Sequence, residues 1–220
     1  RRRPTRCSRQ WSSDVCSSDL QQIASGTEDN PFQIGSNFVA FDNEKHLYKP
    51  LLYLNNDSYK NKVTVSPVPL DESEKEFTDD LINYYNSHKE EFTNKQLFLL
   101  RNQSRKGIGF FVDTNNFYPD FILWVIENGK QRIAFVDPKG IRNSKGLNDP
   151  KIQFHKLIKD KIEPQVVSEN IELSSFIVSN TNYTMLNWKG SITKEKFHDN
   201  NVYFQYEDKE TYIGKILKKM

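Results

Sequence analysis

The sequence predicts a mixed α/β domain, a central sheet flanked by helices. Three observations carry this. Two apolar runs, Phe121 to Ile126 (FILWVI) and Ile133 to Asp137 (IAFVD), flank an Asn128-Gly129 pair, which favours a two-residue type I′ hairpin turn. Both faces of that hairpin are apolar, as in a central sheet covered on both sides. Segments of helical period lie before and after it, so the order reads helix, three strands, helix, strand.

The chain has 220 residues and a net charge of +2, enough for one domain with an arm and for a real core. Its longest apolar runs are six or seven residues, too short to cross a bilayer. Two cysteines cannot build a disulfide scaffold. Residues 1–20 differ from the rest: they hold five arginines, no lysine, and both cysteines, Cys7 and Cys16. From residue 21 the chain is rich in Asn, Lys, Ile, Phe and Tyr, with Lys far ahead of Arg. Trp11 to Leu20 resembles a translated sequencing adapter, so residues 1–20 read as a non-native artefact rather than a basic DNA-binding arm. Without them Lys plus Arg falls from 31 to 26 and Asp plus Glu from 29 to 27, and the net charge becomes −1. No cysteine remains, which excludes thiol chemistry and zinc–thiolate sites from residues 21–220.

Residues 21–70 read as a linker or the remnant of an upstream region, with short strands at Phe38 to Phe41, Leu51 to Leu54 and Val63 to Val65. Residues 71–220 form the functional domain. Its first helix spans 73–90, with Ser73 and Glu76 as the capping box and Phe77, Leu81, Tyr84 and Tyr85 on one apolar face. Lys95 to Arg101 is a short apolar run, and Gly107 to Val112 reads as a strand. Asp149 and Pro150 supply the N-cap and first position of a second helix, to about Ile162. Phe176 to Ser179 is a further strand. The tail from Val202 ends in a strand and a short helix.

The hairpin carries the chemistry. With Asn128 and Gly129 as the loop, facing residues sum to 257: Ile126 with Gln131, Trp124 with Ile133, Ile122 with Phe135. The next pair of that series is Asp120 with Asp137, two carboxylates across one sheet face, where facing β-carbons are about 4.5–5.5 Å apart. Lys139, two residues beyond Asp137, points to the same face. Like charges so placed repel, and a divalent cation that takes carboxylate oxygens would offset them. Taken singly, Asp120 is a turn residue after Pro119 and Asp137 a strand end. The pairing, the shared face and Lys139 together favour function.

Pro119-Asp120 followed by Asp137-Pro138-Lys139 matches the PD-(D/E)xK nuclease motif. The strings LFLLRNQSRKGIGFF, FYPDFILW and AFVDPKG, with SPVPLDESEKEF, KIQFHKLIKDKI, SFIVSNTNY and NVYFQYED further out, resemble the C-terminal endonuclease domain of type III restriction enzyme Res subunits and related helicase–nucleases. The resemblance runs from about Val65 to the C-terminus. It implies a restriction-endonuclease-like core and a Mg²⁺-dependent endodeoxyribonuclease of the prokaryotic cytoplasm. It also implies double-stranded DNA as substrate, 5′-phosphate and 3′-hydroxyl products, and a separate modification methyltransferase subunit as partner. Asp120, Asp137 and the Pro138 carbonyl would hold Mg²⁺, and Lys139 would position the attacking water.

Such folds add a Glu from the first helix. Glu74, three residues before Phe77 on the core-facing stripe, is the choice over Glu76. Gln153 of the second helix is a further candidate near the metal, while His155 reads as structural. Pro138 to Lys161 carries Lys139, Arg142, Lys145, Lys151, Lys156, Lys159 and Lys161 against Asp149 and Asp160, a local charge of +5 suited to a phosphate backbone. Arg101, Arg105 and Lys106 are further DNA-contact candidates. No G-x-x-x-x-G-K-[ST] occurs, so ATP would act only through a helicase motor upstream. The alternatives are a catalytically silent nuclease-fold binding module and a repair or junction nuclease.

Overall fold

The structure is a computed structural model that describes residues 32–34, 38–41, 51–54 and 69–220 except 104, 106, 113–114 and 167–169. The chain forms two compact units, divided after Leu70. In the first, β1 (Phe32–Ile34), β2 (Phe38–Phe41) and β3 (Leu51–Leu54) make an antiparallel sheet in that order, and Tyr53 bridges Leu70 in parallel. β2 and β3 coincide with two expected strands. The third, Val63 to Val65, and residues 1–20 lie outside the described residues.

The second unit is a mixed α/β layer structure. It begins with α1 (Glu72–Ser87), followed by β4 (Lys95–Arg101), the hairpin β5 (Phe110–Val112) and β6 (Asn115–Phe117), then β7 (Phe121–Glu127) and β8 (Lys130–Pro138). Next come α2 (Pro150–Leu157), β9 (Ile171–Ser179), α3 (Lys194–Asp199), β10 (Val202–Phe204) and α4 (Tyr212–Lys219). Five strands form one sheet in the order β10-β9-β8-β7-β4. β8 pairs antiparallel with β7 and parallel with β9, so the sheet is mixed. Among the described residues no helix is long and apolar enough to cross a membrane.

The Asn-Gly turn fixes the hairpin register. Asn128 and Gly129 have φ of 52° and 77°, the left-handed values a type I′ loop requires. The ladder then runs Ile126↔Gln131, Trp124↔Ile133, Ile122↔Phe135 and ends at Phe121↔Val136. Alternation sends the two sides of β7 into different layers. Ile122 joins Ile133, Phe135, Phe154 of α2 and Phe117 of β6 on one face. Phe121 turns to the other, where Phe77 of α1 meets its ring at a centroid distance of 5.3 Å. Phe77, Leu81, Phe121 and Ile122 are almost fully buried, and each contributes about 1.5–3 kcal/mol by leaving water. α4 lies against α1 so closely that a β-carbon at Gly214 would meet the Tyr84 hydroxyl at 3.0 Å.

Four local expectations change. α1 starts at Glu72, with Asp71 rather than Ser73 as N-cap: Asp71 Oδ1 accepts from Glu74 N at 2.8 Å, and Glu74 Oε2 accepts from Asp71 N at 2.8 Å. A charged carboxylate is the stronger acceptor at a helix N-terminus, so the earlier of two overlapping boxes forms and Ser73 Oγ becomes a donor to Asp71. The strand expected from Gly107 begins only at Phe110, because Gly107 and Ile108 wrap the Asn102 side chain, and a β-carbon at Gly107 would collide with Asn102 Oδ1. The second helix passes after Leu157 into a π-helical turn over Ile158–Ile162. α3 was not expected, and β9 is longer than the apolar run that announced it.

Candidate active site

The site lies where β7 begins and β8 ends. One step beyond the last ladder pair, Asp120 and Asp137 meet side chain to side chain, with a hydrogen bond between their carboxyls. Asp137 is buried at 5% exposure. Burial, the hydrogen bond to Asp137 and the charges of Asp137 and Glu74 push the Asp120 pKa up to about 9, against the opposing pull of Arg101. The raised pKa favours a proton on Asp120, which can bond its neighbour through it.

Lys139 sits just past β8 but keeps the ladder: its N–H donates to Val178 O at 2.9 Å and its carbonyl accepts from Asn180 N at 3.3 Å. Its ammonium bonds Asp137 Oδ2. Because both main-chain groups of Lys139 face β9, the preceding Pro138 carbonyl faces the opposite edge, where Ser73 Oγ of α1 reaches it at 3.4 Å. A hard oxygen thus lies on the carboxylate side of β8.

Glu74 projects from the first turn of α1 and is 5% exposed. Burial raises its pKa, while Arg101 and the Asp71 N–H oppose the rise. Arg101, the last residue of β4, reaches Glu74 Oε1 at 2.7 Å through Nη2. Its Nη1 lies 3.5 Å from Asp120 Oδ1 and donates to the Asp120 carbonyl at 3.2 Å. The guanidinium carbon stands 5.1 Å from the centroid of the Phe121 ring.

Asn102 holds this corner and went unnoticed in the sequence. Its backbone N–H donates to Asp120 O at 2.8 Å, and its side-chain amide donates to Pro119 O and Ile108 O, each at 2.8 Å. Nothing in the composition around Asn102 marks it; only the neighbouring Gly107 hints at a close approach. Phe117 was missed for the same reason. The ammonium groups of Lys139 and Lys151 stand 5.4 and 5.9 Å from its ring centroid, which brings a second lysine beside Asp137. Partial loss of solvent and the Lys139 charge lower the Lys151 pKa.

The remaining candidates are spread more widely. Gln153 donates to Leu147 O at 2.6 Å and to Asn200 Oδ1 at 3.3 Å, so its amide is committed to the α2–α3 packing. His155 bonds Ile152 O within α2. Arg105, Arg142, Lys145 and Lys156 are exposed, and Lys106 lies outside the described residues.

Among the described residues no group of three His, Cys, Asp or Glu side chains is arranged to hold a metal ion. The oxygens on this side of β8, those of Asp120 and Asp137 and the Pro138 carbonyl, are of the hard type that a divalent cation such as Mg²⁺ takes. Comparison of the chain with protein-family models, with curated proteins and with solved structures finds no match.

Proposed function

We propose that residues 71–220 form a Mg²⁺-dependent endodeoxyribonuclease domain with a PD-(D/E)xK core, of the kind found in type III restriction Res subunits. The observation that carries the reading is the contact of Asp120 with Asp137 at the open end of the hairpin, with Lys139 bonded to the second of them. A buried acid, Asp137, beside a half-buried one, Asp120, is costly to ionise fully unless a cation offsets the charge. Asp120, Asp137 and the Pro138 carbonyl would hold that cation. Mg²⁺, when bound, supplies a Lewis acid for the phosphate and lowers the pKa of bound water.

The chain's own groups do the rest. Lys139, released from Asp137, donates to a phosphate oxygen and orients the attacking water. Lys151 adds a second positive charge where the phosphate becomes more negative. Water adds to phosphorus as the 3′-oxygen leaves, giving the 5′-phosphate and 3′-hydroxyl ends. The exposed Arg142, Lys145 and Lys156 lie along the same basic stretch and suit the backbone of double-stranded DNA. On this reading ATP is used by a helicase motor elsewhere in the protein, and a methyltransferase subunit reads the DNA sequence.

The test is cleavage of plasmid DNA with and without Mg²⁺. Asp137→Asn and Lys139→Met should each lower Mg²⁺-dependent cutting by at least about 10²-fold while circular dichroism stays unchanged. Undiminished cutting by both variants sinks the assignment. One observation favours a second reading, a silent nuclease-fold binding module: a proton, Lys139 and Arg101 already stand beside the carboxylates. Calorimetric titration with Mg²⁺ separates the two, because a silent module takes up no ion.

A further inference from the structure

The guanidinium of Arg101 stands between two acids of the site. These are Glu74 and Asp120, and Arg101 forks between them, 2.7 Å from one and 3.5 Å from the other. The side chains of Arg101 and Glu74 are 13% and 6% exposed, so this is an internal pair rather than a surface contact. The remaining anchors are equally fixed. Phe121 lies under the guanidinium, the Asp120 carbonyl accepts from Nη1, and the second oxygen of Glu74 is held by the Asp71 N–H. Nε of Arg101 is buried without a hydrogen-bond partner among the described residues, so the fork is positioned for the two acids at the expense of its own third donor group. A planar guanidinium suits a place between two carboxylates.

We infer that Arg101 is the resident cation of the Glu74–Asp120 side, so that the site takes a single divalent ion, on the Asp137 side of Asp120, and Glu74 positions Arg101 instead of ligating metal. This rests on the reading of Asp120 and Asp137 as metal ligands. It differs from the sequence expectation, in which Glu74 completes the metal set. It also gives the α1 capping box a functional consequence: the same carboxylate that caps the helix orients the arginine.

The experiment is calorimetric titration of the full chain with Mn²⁺, read as the number of ions bound, on the wild type and on Glu74→Gln, Arg101→Lys and Arg101→Gln. The wild type should bind one ion. Glu74→Gln should keep it and weaken it by no more than about tenfold, the lower end for loss of an outer-sphere partner. Arg101→Lys, which retains the charge, should also bind one. Arg101→Gln should gain a second, weaker ion between the freed Glu74 and Asp120. Two ions in the wild type, or loss of the ion in Glu74→Gln, overturns the inference and leaves the metal site standing. No ion in any of the four proteins overturns the metal site and the inference together. Should Arg101→Gln fail to fold, the Glu74→Gln result decides.

Discussion

Asp208 and Asp120 are both shielded carboxylates with cations in reach, and their pKa values move in opposite directions. Asp208 closes the turn after β10. Burial pushes its pKa up, but Lys194 at 2.9 Å, the Phe204 N–H at 2.9 Å and His198 at 2.9 Å outweigh burial and hold it below the usual carboxylate value. Asp120 has Arg101 at 3.5 Å but faces Asp137, with Glu74 behind, and burial plus those like charges drive it to about 9. One acid is satisfied by its surroundings and reads as a structural knot. The other is frustrated by them, which on the proposed reading makes it a place for a cation. The same residue type has two fates, decided by whether the neighbouring donors outnumber the neighbouring acids.

Breaking each side of this contrast should give different phenotypes. The largest effect belongs to the frustrated pair: Asp137→Asn should lower Mg²⁺-dependent cleavage by about 10⁴-fold, the scale for a member of a catalytic unit. Lys139→Met should cost on the order of 10²–10³-fold, as for removal of one charge-stabilising donor. Asp208→Asn should leave the cleavage rate nearly intact but destabilise the fold by about 1–3 kcal/mol, read from urea midpoints, because Lys194 and the Phe204 N–H lose a buried acceptor. Equal loss of activity in Asp208→Asn and Asp137→Asn would erase the distinction.

The pH dependence sharpens it. A carboxyl whose folded pKa is raised binds a proton in the folded state that the unfolded chain lacks, so Asp120 makes metal-free stability fall as pH rises from about 4 to about 9. The slope is limited to about 1.4 kcal/mol per pH unit for one proton. Asp208, with its pKa depressed, acts the other way: its contribution is present above the unfolded value near 4 and is lost as pH falls through the folded one. Asp120→Asn should flatten the alkaline limb of the stability profile and Asp208→Asn the acid limb. The smallest effect concerns DNA. Arg142→Ala and Lys145→Ala should each reduce the salt dependence of duplex binding by about one ion, measured by anisotropy, with little change in the cleavage rate at saturation.

Much of the frame was legible because its determinants are local. The Asn128-Gly129 turn sets the register of fourteen facing residues, and that register alone carries Asp120 to Asp137. Apolar residues on both faces of β7 announce the two covering layers. What the sequence did not announce depends on contacts between distant segments. The Arg101–Glu74 pair joins the end of β4 to the start of α1, and Asn102 recognises three backbone groups by shape rather than by any motif. Lys151 stood out only as one charge in a basic run, until Phe117 placed it beside Lys139. The choice between Asp71 and Ser73 as N-cap was open in the string DESEKE, where two boxes overlap by two residues. It was settled by charge at the helix end.

On the proposed reading the Asp120–Asp137 pair, unlike the Asp208 knot, is built to receive a divalent cation. Thermal melting with and without Mg²⁺ tests it most directly, because an ion that binds only the folded state raises the melting temperature. At an ion concentration about 100 times its dissociation constant, the gain is about 2.7 kcal/mol. The wild type and Asp208→Asn should both gain stability on adding Mg²⁺, and Asp137→Asn should gain none. Absence of a shift in the wild type, or an equal shift in Asp137→Asn, would rule out a cation site at this pair.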